Sequence, residues 1–130
     1  MADITNIQTT ASKASGSGNN WDITVTYDAV FSQYEWKTAN FTFRDGFILM
    51  ESDQGEIFGG ADDQLTGIVA VSTFNPNEPK VRRVMKLRIS GDTLDTELGS
   101  EELYPVVRLR NLDLNLLYPQ KKGGILHLNP

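Results

Sequence analysis

The run Trp21-Asp22-Ile23-Thr24-Val25-Thr26-Tyr27-Asp28-Ala29-Val30-Phe31 sets an apolar side chain at every odd position and a mostly polar one at every even position. Side chains of a β-strand alternate between two faces. A period of two held over this length therefore predicts an antiparallel strand with one face in a core and the other in water. No segment carries the period of an amphipathic helix, so the chain is expected to be all-β.

At 130 residues the chain has the size of one domain with one core, and a single domain over residues 1–130 is expected. There is no cysteine, which removes disulfides, thiolate nucleophiles and cysteine-ligated metals together. Met1-Ala2-Asp3-Ile4-Thr5 lacks the basic start and apolar stretch of a secretory signal. The longest apolar runs, such as Phe47-Ile48-Leu49-Met50, fall far short of the roughly 20 residues a membrane helix needs. A soluble protein, cytoplasmic or virion-associated, is the expectation.

The formal net charge of -5 argues against nucleic acid as the main ligand, since phosphate binding needs a basic footprint. That average hides a division. Residues 1–79 hold eleven acids and three bases, whereas residues 80–130 hold six acids and nine bases. Either the two sets satisfy each other within one fold, or they lie on different faces and steer copies into head-to-tail contact.

Along the chain, residues 4–10 read as a polar first edge strand, and residues 11–20, rich in Ser, Gly and Asn, as a flexible link or long turn. After Phe31 the apolar parity shifts to Tyr34 and Trp36, which predicts a bulge or a turn near Ser32. Asp45-Gly46 between Phe41-Thr42-Phe43-Arg44 and Phe47-Ile48-Leu49-Met50 predicts a hairpin with a type I′ turn, Phe43 facing Ile48 and Phe41 facing Met50. Residues 51–64 read as a loop. Residues 65–74 form a strand apolar on both faces at its middle, and residues 75–79 break it with two prolines. Alternation returns over residues 81–90, with Arg82, Lys86 and Arg88 on one face, and over 106–110, where a parity shift near Asn111 predicts a bulge or bend. Residues 93–99 allow a short strand or one helical turn, and residues 125–128 a last strand.

Eight or nine strands separated by turns predict a single antiparallel β-sandwich. The strand count, the early tryptophan and the turn spacing resemble those of immunoglobulin-like and fibronectin type III domains, without the Cys-Trp-Cys pattern of true immunoglobulin domains. The expected topology is immunoglobulin-like or jelly-roll-like. The resemblance is one of architecture and implies no function.

Five groups of residues are candidates for chemistry or contact. The acid-rich loop with Glu51, Asp53, Glu56, Asp62 and Asp63 is either a solvated loop or, through Asp53, Glu56, Asp62 and Asp63, a calcium site without EF-hand spacing. A second acidic stretch, Asp92, Asp95, Glu97, Glu101 and Glu102, would give a glycoside hydrolase only if two carboxyls converged in a cleft. His127, the single histidine, stands in a terminal strand with no Gly-x-Ser-x-Gly nucleophile to serve. Arg82, Lys86 and Arg88, extended by Arg108 and Arg110, either contact a partner or pair with acids across the ladder. Tyr34 and Trp36, beyond the parity shift, are candidates for an edge or interface, while Trp21 follows the core parity and Tyr118 is a further interface candidate.

The expected function is a non-enzymatic structural or protein-docking module, a repeated subunit of a larger assembly such as a virion or appendage, with no cofactor. Its partner is a protein, itself or another, giving a homo-oligomer or lattice, with neither membrane nor nucleic acid as ligand. A calcium- or carbohydrate-binding module is the alternative, and a carboxylate hydrolase the third reading.

Overall fold

The computed structural model describes residues 1–14, 19–52, 63–91 and 101–128. These residues form two antiparallel sheets. The first is three-stranded, in the order β1-β2-β6, from β1 (Asp3–Lys13), β2 (Asn20–Val30) and β6 (Lys80–Ser90). The second is centred on β3 (Phe43–Glu51) and β7 (Glu101–Asn111), paired from end to end.

The second sheet is flanked by two interrupted strands. β4 (Asp63–Gln64) and β5 (Val69–Phe74) follow one another along the free side of β3, and β8 (Leu116–Leu117), β9 (Lys121–Lys122) and β10 (Leu126–Leu128) follow one another along the free side of β7. No helix among the described residues is long and apolar enough to cross a membrane. A π-helical turn, Tyr34–Thr38, lies between β2 and β3.

The opening alternation is the central strand of the first sheet. Ile23, Val25, Tyr27, Ala29 and Phe31 are buried, and Asp22, Thr24, Thr26 and Asp28 are only half-covered on the far face. Opposite them, Phe43, Phe47 and Leu49 of β3 and Leu103, Val107 and Leu109 of β7 complete one core drawn from both sheets. At one end the rings of Phe31, Phe43, Phe74 and Tyr118 meet with centroids 4.6 to 6.2 Å apart, contacts worth about 0.5–1.5 kcal/mol each beyond the area they bury.

Several sequence expectations are corrected. The link expected at residues 11–20 is shorter, because Ala11, Ser12 and Lys13 pair with Ile23, Asp22 and Trp21. β1 absorbs a bulge between Thr5 and Gln8, with Asn6 at a left-handed φ of 54°. This turns Ile7 toward Gly123, where a β-carbon would stand 2.8 Å from its methyl carbon. The shift after Phe31 is the π-helical turn, and the shift after Asn111 is a reversal into β8.

The Asp45-Gly46 hairpin does not exist. β3 runs straight through both residues, with Asp45 opposite Leu109 and Gly46 opposite Arg108. Turn chemistry is overridden by long-range contacts. Asp45 is 1% exposed and spans the two sheets, accepting hydrogen bonds from Tyr27 Oη at 2.7 Å and Arg83 Nε at 2.8 Å. The Arg83 guanidinium also stacks 3.8 Å over the Phe74 ring. Gly46 is required because β5 passes so closely: a β-carbon there would lie 2.9 Å from Ile68 Cγ1 and 3.0 Å from the Val69 carbonyl. β5 bulges opposite it, with Ala70 at φ 54°.

Candidate functional site

The outer faces of the two sheets differ in their electrostatics. On the first sheet, the central strand presents Asp22 and Asp28, and β6 sets Arg88 and Arg82 directly across from them. Arg88 grips Asp22 with two nitrogens, at 2.9 and 3.2 Å. Arg82 reaches Asp28, Thr26, Gln8 and the Asn6 carbonyl.

The hydrogen bond from Arg88 holds the Asp22 carboxyl below its usual range, and bonds from Asn6 and then Arg82 do the same for Asp28. Lys86 stands opposite Thr24 and adds its field to Asp22. Two of the arginines proposed from sequence for partner contact are thus occupied within the sheet. Equal spacing was the available signal, since Asp22 and Asp28 lie as far apart as Arg82 and Arg88, as an antiparallel ladder requires.

The second sheet is arranged otherwise. Across the β3–β7 ladder Arg44 stands opposite Arg110, and Arg108 opposite Gly46. Strand parity turns all three arginines to the outer face, since their neighbours Phe43, Asp45, Val107 and Leu109 are buried in the interior. Residues directly opposite in a ladder have β-carbons about 4.5–5.5 Å apart, and like charges placed so are destabilising.

No carboxylate among the described residues forms an ion pair with any of the three. Arg108 donates to Gln120 Oε1 at 2.9 Å and Arg110 to Asn115 Oδ1 at 3.0 Å, both neutral acceptors. Arg44 is exposed and has no polar partner among the described residues. With Asp45, Ile68 and Leu117 these arginines line a groove of about 180 Å³, the Asp45 carboxylate being held by Tyr27 and Arg83. Gly46 leaves its floor without a side chain and lets Ile68 fold over the sheet. Guanidinium groups bind planar oxyanions with paired hydrogen bonds, and three arginines that pair with no carboxylate among the described residues are suited to an external anion. Sequence reasoning reached Arg108 and Arg110 but missed Arg44, which the expected hairpin had set as the last strand residue before its turn.

Beside the groove the turn at residues 112–115 is rigidly tied. Asp113 accepts from the Thr42 backbone at 2.6 Å, Asn111 from Leu114 N at 3.0 Å, and Leu112 N donates to the Thr42 carbonyl. This holds Leu112, Leu114, Leu116 and Leu117 exposed.

Tyr34 is 60% exposed and meets Phe41 edge-on, whereas Trp36, expected with it at an edge or interface, is partly buried and packs against the core. Tyr118 is buried. Glu35 between the two aromatics is buried, and its carboxylate accepts from Ala2 N, Ser32 N and Tyr118 Oη at 2.8 to 3.0 Å. Burial pushes that carboxyl up, but the Ser32, Tyr118 and terminal-amine contacts outweigh it and leave it below the ordinary value. His127 lies at the surface with Nδ1 3.9 Å from Glu102. Of the proposed calcium ligands, Asp53, Glu56 and Asp62 lie outside the described residues, as does the side chain of Asp63. Among the described residues no group of three or more metal-ligating side chains gathers.

No protein-family model and no curated protein matches the chain. Solved structures similar to it include an X-ray structure of a structural-genomics target, with 10% identity and TM-score 0.45 over 99% of this chain and 86% of that one. Another is the crystal structure of a Bordetella pertussis protein assigned provisionally to ApaA, with 7% identity and TM-score 0.46 over 98% and 94%. Neither likeness carries an argument about function or topology.

Proposed function

We propose that the protein is a non-enzymatic docking module, a subunit of a larger assembly, whose contact surface is the outer face of the β3–β7 sheet. The observation that carries this reading is the Arg44–Arg110 ladder pair, joined by Arg108 and bordered by exposed Ile68 and Leu117. A fold holds a like-charge pair of this kind at a cost to its own stability. An anionic partner removes that cost on binding, so the pair is better accounted for by contact than by folding.

The reading includes an immunoglobulin-like connection pattern, supported by the strand order. The first, second and fifth long strands form one sheet, and the third, sixth and seventh strand positions form the other, with the fourth (β5) beside the third. Immunoglobulin constant domains place that fourth strand in the opposite sheet.

The test is calorimetric titration with poly-L-glutamate at low salt. Wild type binds, and Arg44→Ser with Arg110→Ser weakens binding at least tenfold. Equal binding by both proteins, or none by wild type, contradicts the reading.

A further inference from the structure

Resting on the docking reading above, we infer that the group received by the arginine groove is the phosphate of a phosphorylated side chain on a partner protein. Arg44 and Arg110 are opposite one another in the β3–β7 ladder, a placement that roots their side chains about 5 Å apart. Arg108 follows on the same outer face of β7, about 7 Å along the strand from Arg110. It stands opposite Gly46, so no β3 side chain fills the space beside it. All three arginines line one groove.

Charge and acceptor number both favour phosphate over carboxylate. Arg108 and Arg110 donate to the neutral side-chain oxygens of Gln120 and Asn115, and Arg44 has no polar partner among the described residues. Asp45 also lines the groove, but its carboxylate is taken by Arg83 Nε at 2.8 Å and Tyr27 Oη at 2.7 Å. Three guanidinium forks are therefore open to one ligand. A carboxylate brings a single charge and two oxygens, which satisfy one fork. A phosphate monoester brings roughly -1.5 to -2 charges at neutral pH and three strong acceptor oxygens, which serve three forks together.

The surroundings select a protein side chain as the carrier. Arg108 and Arg110 are half-buried, and the space they border, about 180 Å³, admits one projecting group. A row of nucleic-acid phosphates needs a longer basic track and would meet a chain of net charge -5. Ile68 and Leu117 flank the groove and are exposed. A free phosphate leaves both in water, whereas the residues on either side of a phosphorylated one cover them.

Calorimetric titration at low salt tests this with the peptides acetyl-Leu-X-Leu-amide, where X is phosphoserine, phosphotyrosine or glutamate, and with inorganic phosphate. At about pH 7.5 the better phosphopeptide binds wild type about tenfold more tightly than the glutamate peptide and than inorganic phosphate. Its affinity falls about fourfold at about pH 5.5, as the phosphate loses its second charge near pH 6, while the glutamate peptide stays ionised. Arg108→Gln, shown folded by a cooperative melting transition, loses the preference for phosphate. Equal binding of the phosphopeptides and the glutamate peptide by wild type overturns the inference, as does an undiminished preference in Arg108→Gln. Inorganic phosphate binding as tightly as the phosphopeptides overturns the protein carrier, as does binding to phosphatidic acid vesicles that the phosphopeptides do not reverse. Poly-L-glutamate separates the two readings: a wild type that binds it without preferring phosphate keeps the docking function and loses this one, whereas one that binds neither loses both.

Discussion

Arg44 and Arg110 face each other across the β3–β7 ladder with no carboxylate paired to either among the described residues. On the other sheet the equivalent positions are complementary, Asp22 with Arg88 and Asp28 with Arg82. Among the described residues one outer face pairs its arginines with carboxylates and the other does not. The exchange Arg110→Glu therefore raises stability by about 0.5 kcal/mol by turning a like-charge pair into an opposite one, while it abolishes binding of poly-L-glutamate. Urea denaturation at low salt measures the gain, which shrinks as salt is added.

Asp45 is the polar tie between the sheets. Replacing it with Asn leaves the half-buried Arg83 guanidinium and the Tyr27 hydroxyl without their charged acceptor, and costs about 3 kcal/mol. The double variant Asp45→Leu with Arg83→Met loses less than the single one, because no charge is left unpaired. Denaturant unfolding of the three proteins checks the order.

Stability depends on pH through Glu35. Its carboxyl lies below the ordinary value of 4.5 in the folded chain, so on acidification the unfolded chain takes up the proton first. The stabilisation is complete above that ordinary value and is lost as pH falls through the lowered folded value. Unfolding free energies measured between about pH 6 and pH 3 fall less steeply in Glu35→Gln than in wild type. The remaining slope includes Asp22 and Asp28, whose carboxyls are lowered as well.

Gly46→Ala forces a methyl group to 2.9 Å from Ile68 Cγ1 and 3.0 Å from the Val69 carbonyl. The side chain can move but the carbonyl belongs to a paired strand, so β5 shifts and stability falls by about 1–3 kcal/mol. The groove loses its Ile68 wall at the same time, and poly-L-glutamate affinity falls with it.

The legible parts of this fold are those where local pattern and tertiary role coincide. Residues 21–31 alternate because the strand is central in its sheet and covered on one face, and β6 alternates likewise. Asp45-Gly46 was misread because a strong local turn signal was opposed by partners far away in sequence, Arg83 at a separation of 38 residues and Tyr27 at 18. That error also concealed Arg44, since the expected hairpin paired it across the turn with Phe47, whereas in the continuous strand it faces Arg110. Trp36 was placed at an edge or interface by the parity shift and its charged neighbours Glu35 and Lys37, and parity loses its meaning across a π-helical turn.

Amide chemical shifts of the wild-type protein during titration with poly-L-glutamate locate the contact surface directly. The account predicts perturbations concentrated on residues 44–48, 106–110 and 112–117, with Asp22, Arg82 and Arg88 unmoved. Perturbations centred on Arg82 and Arg88, or spread evenly over both sheets, would contradict it.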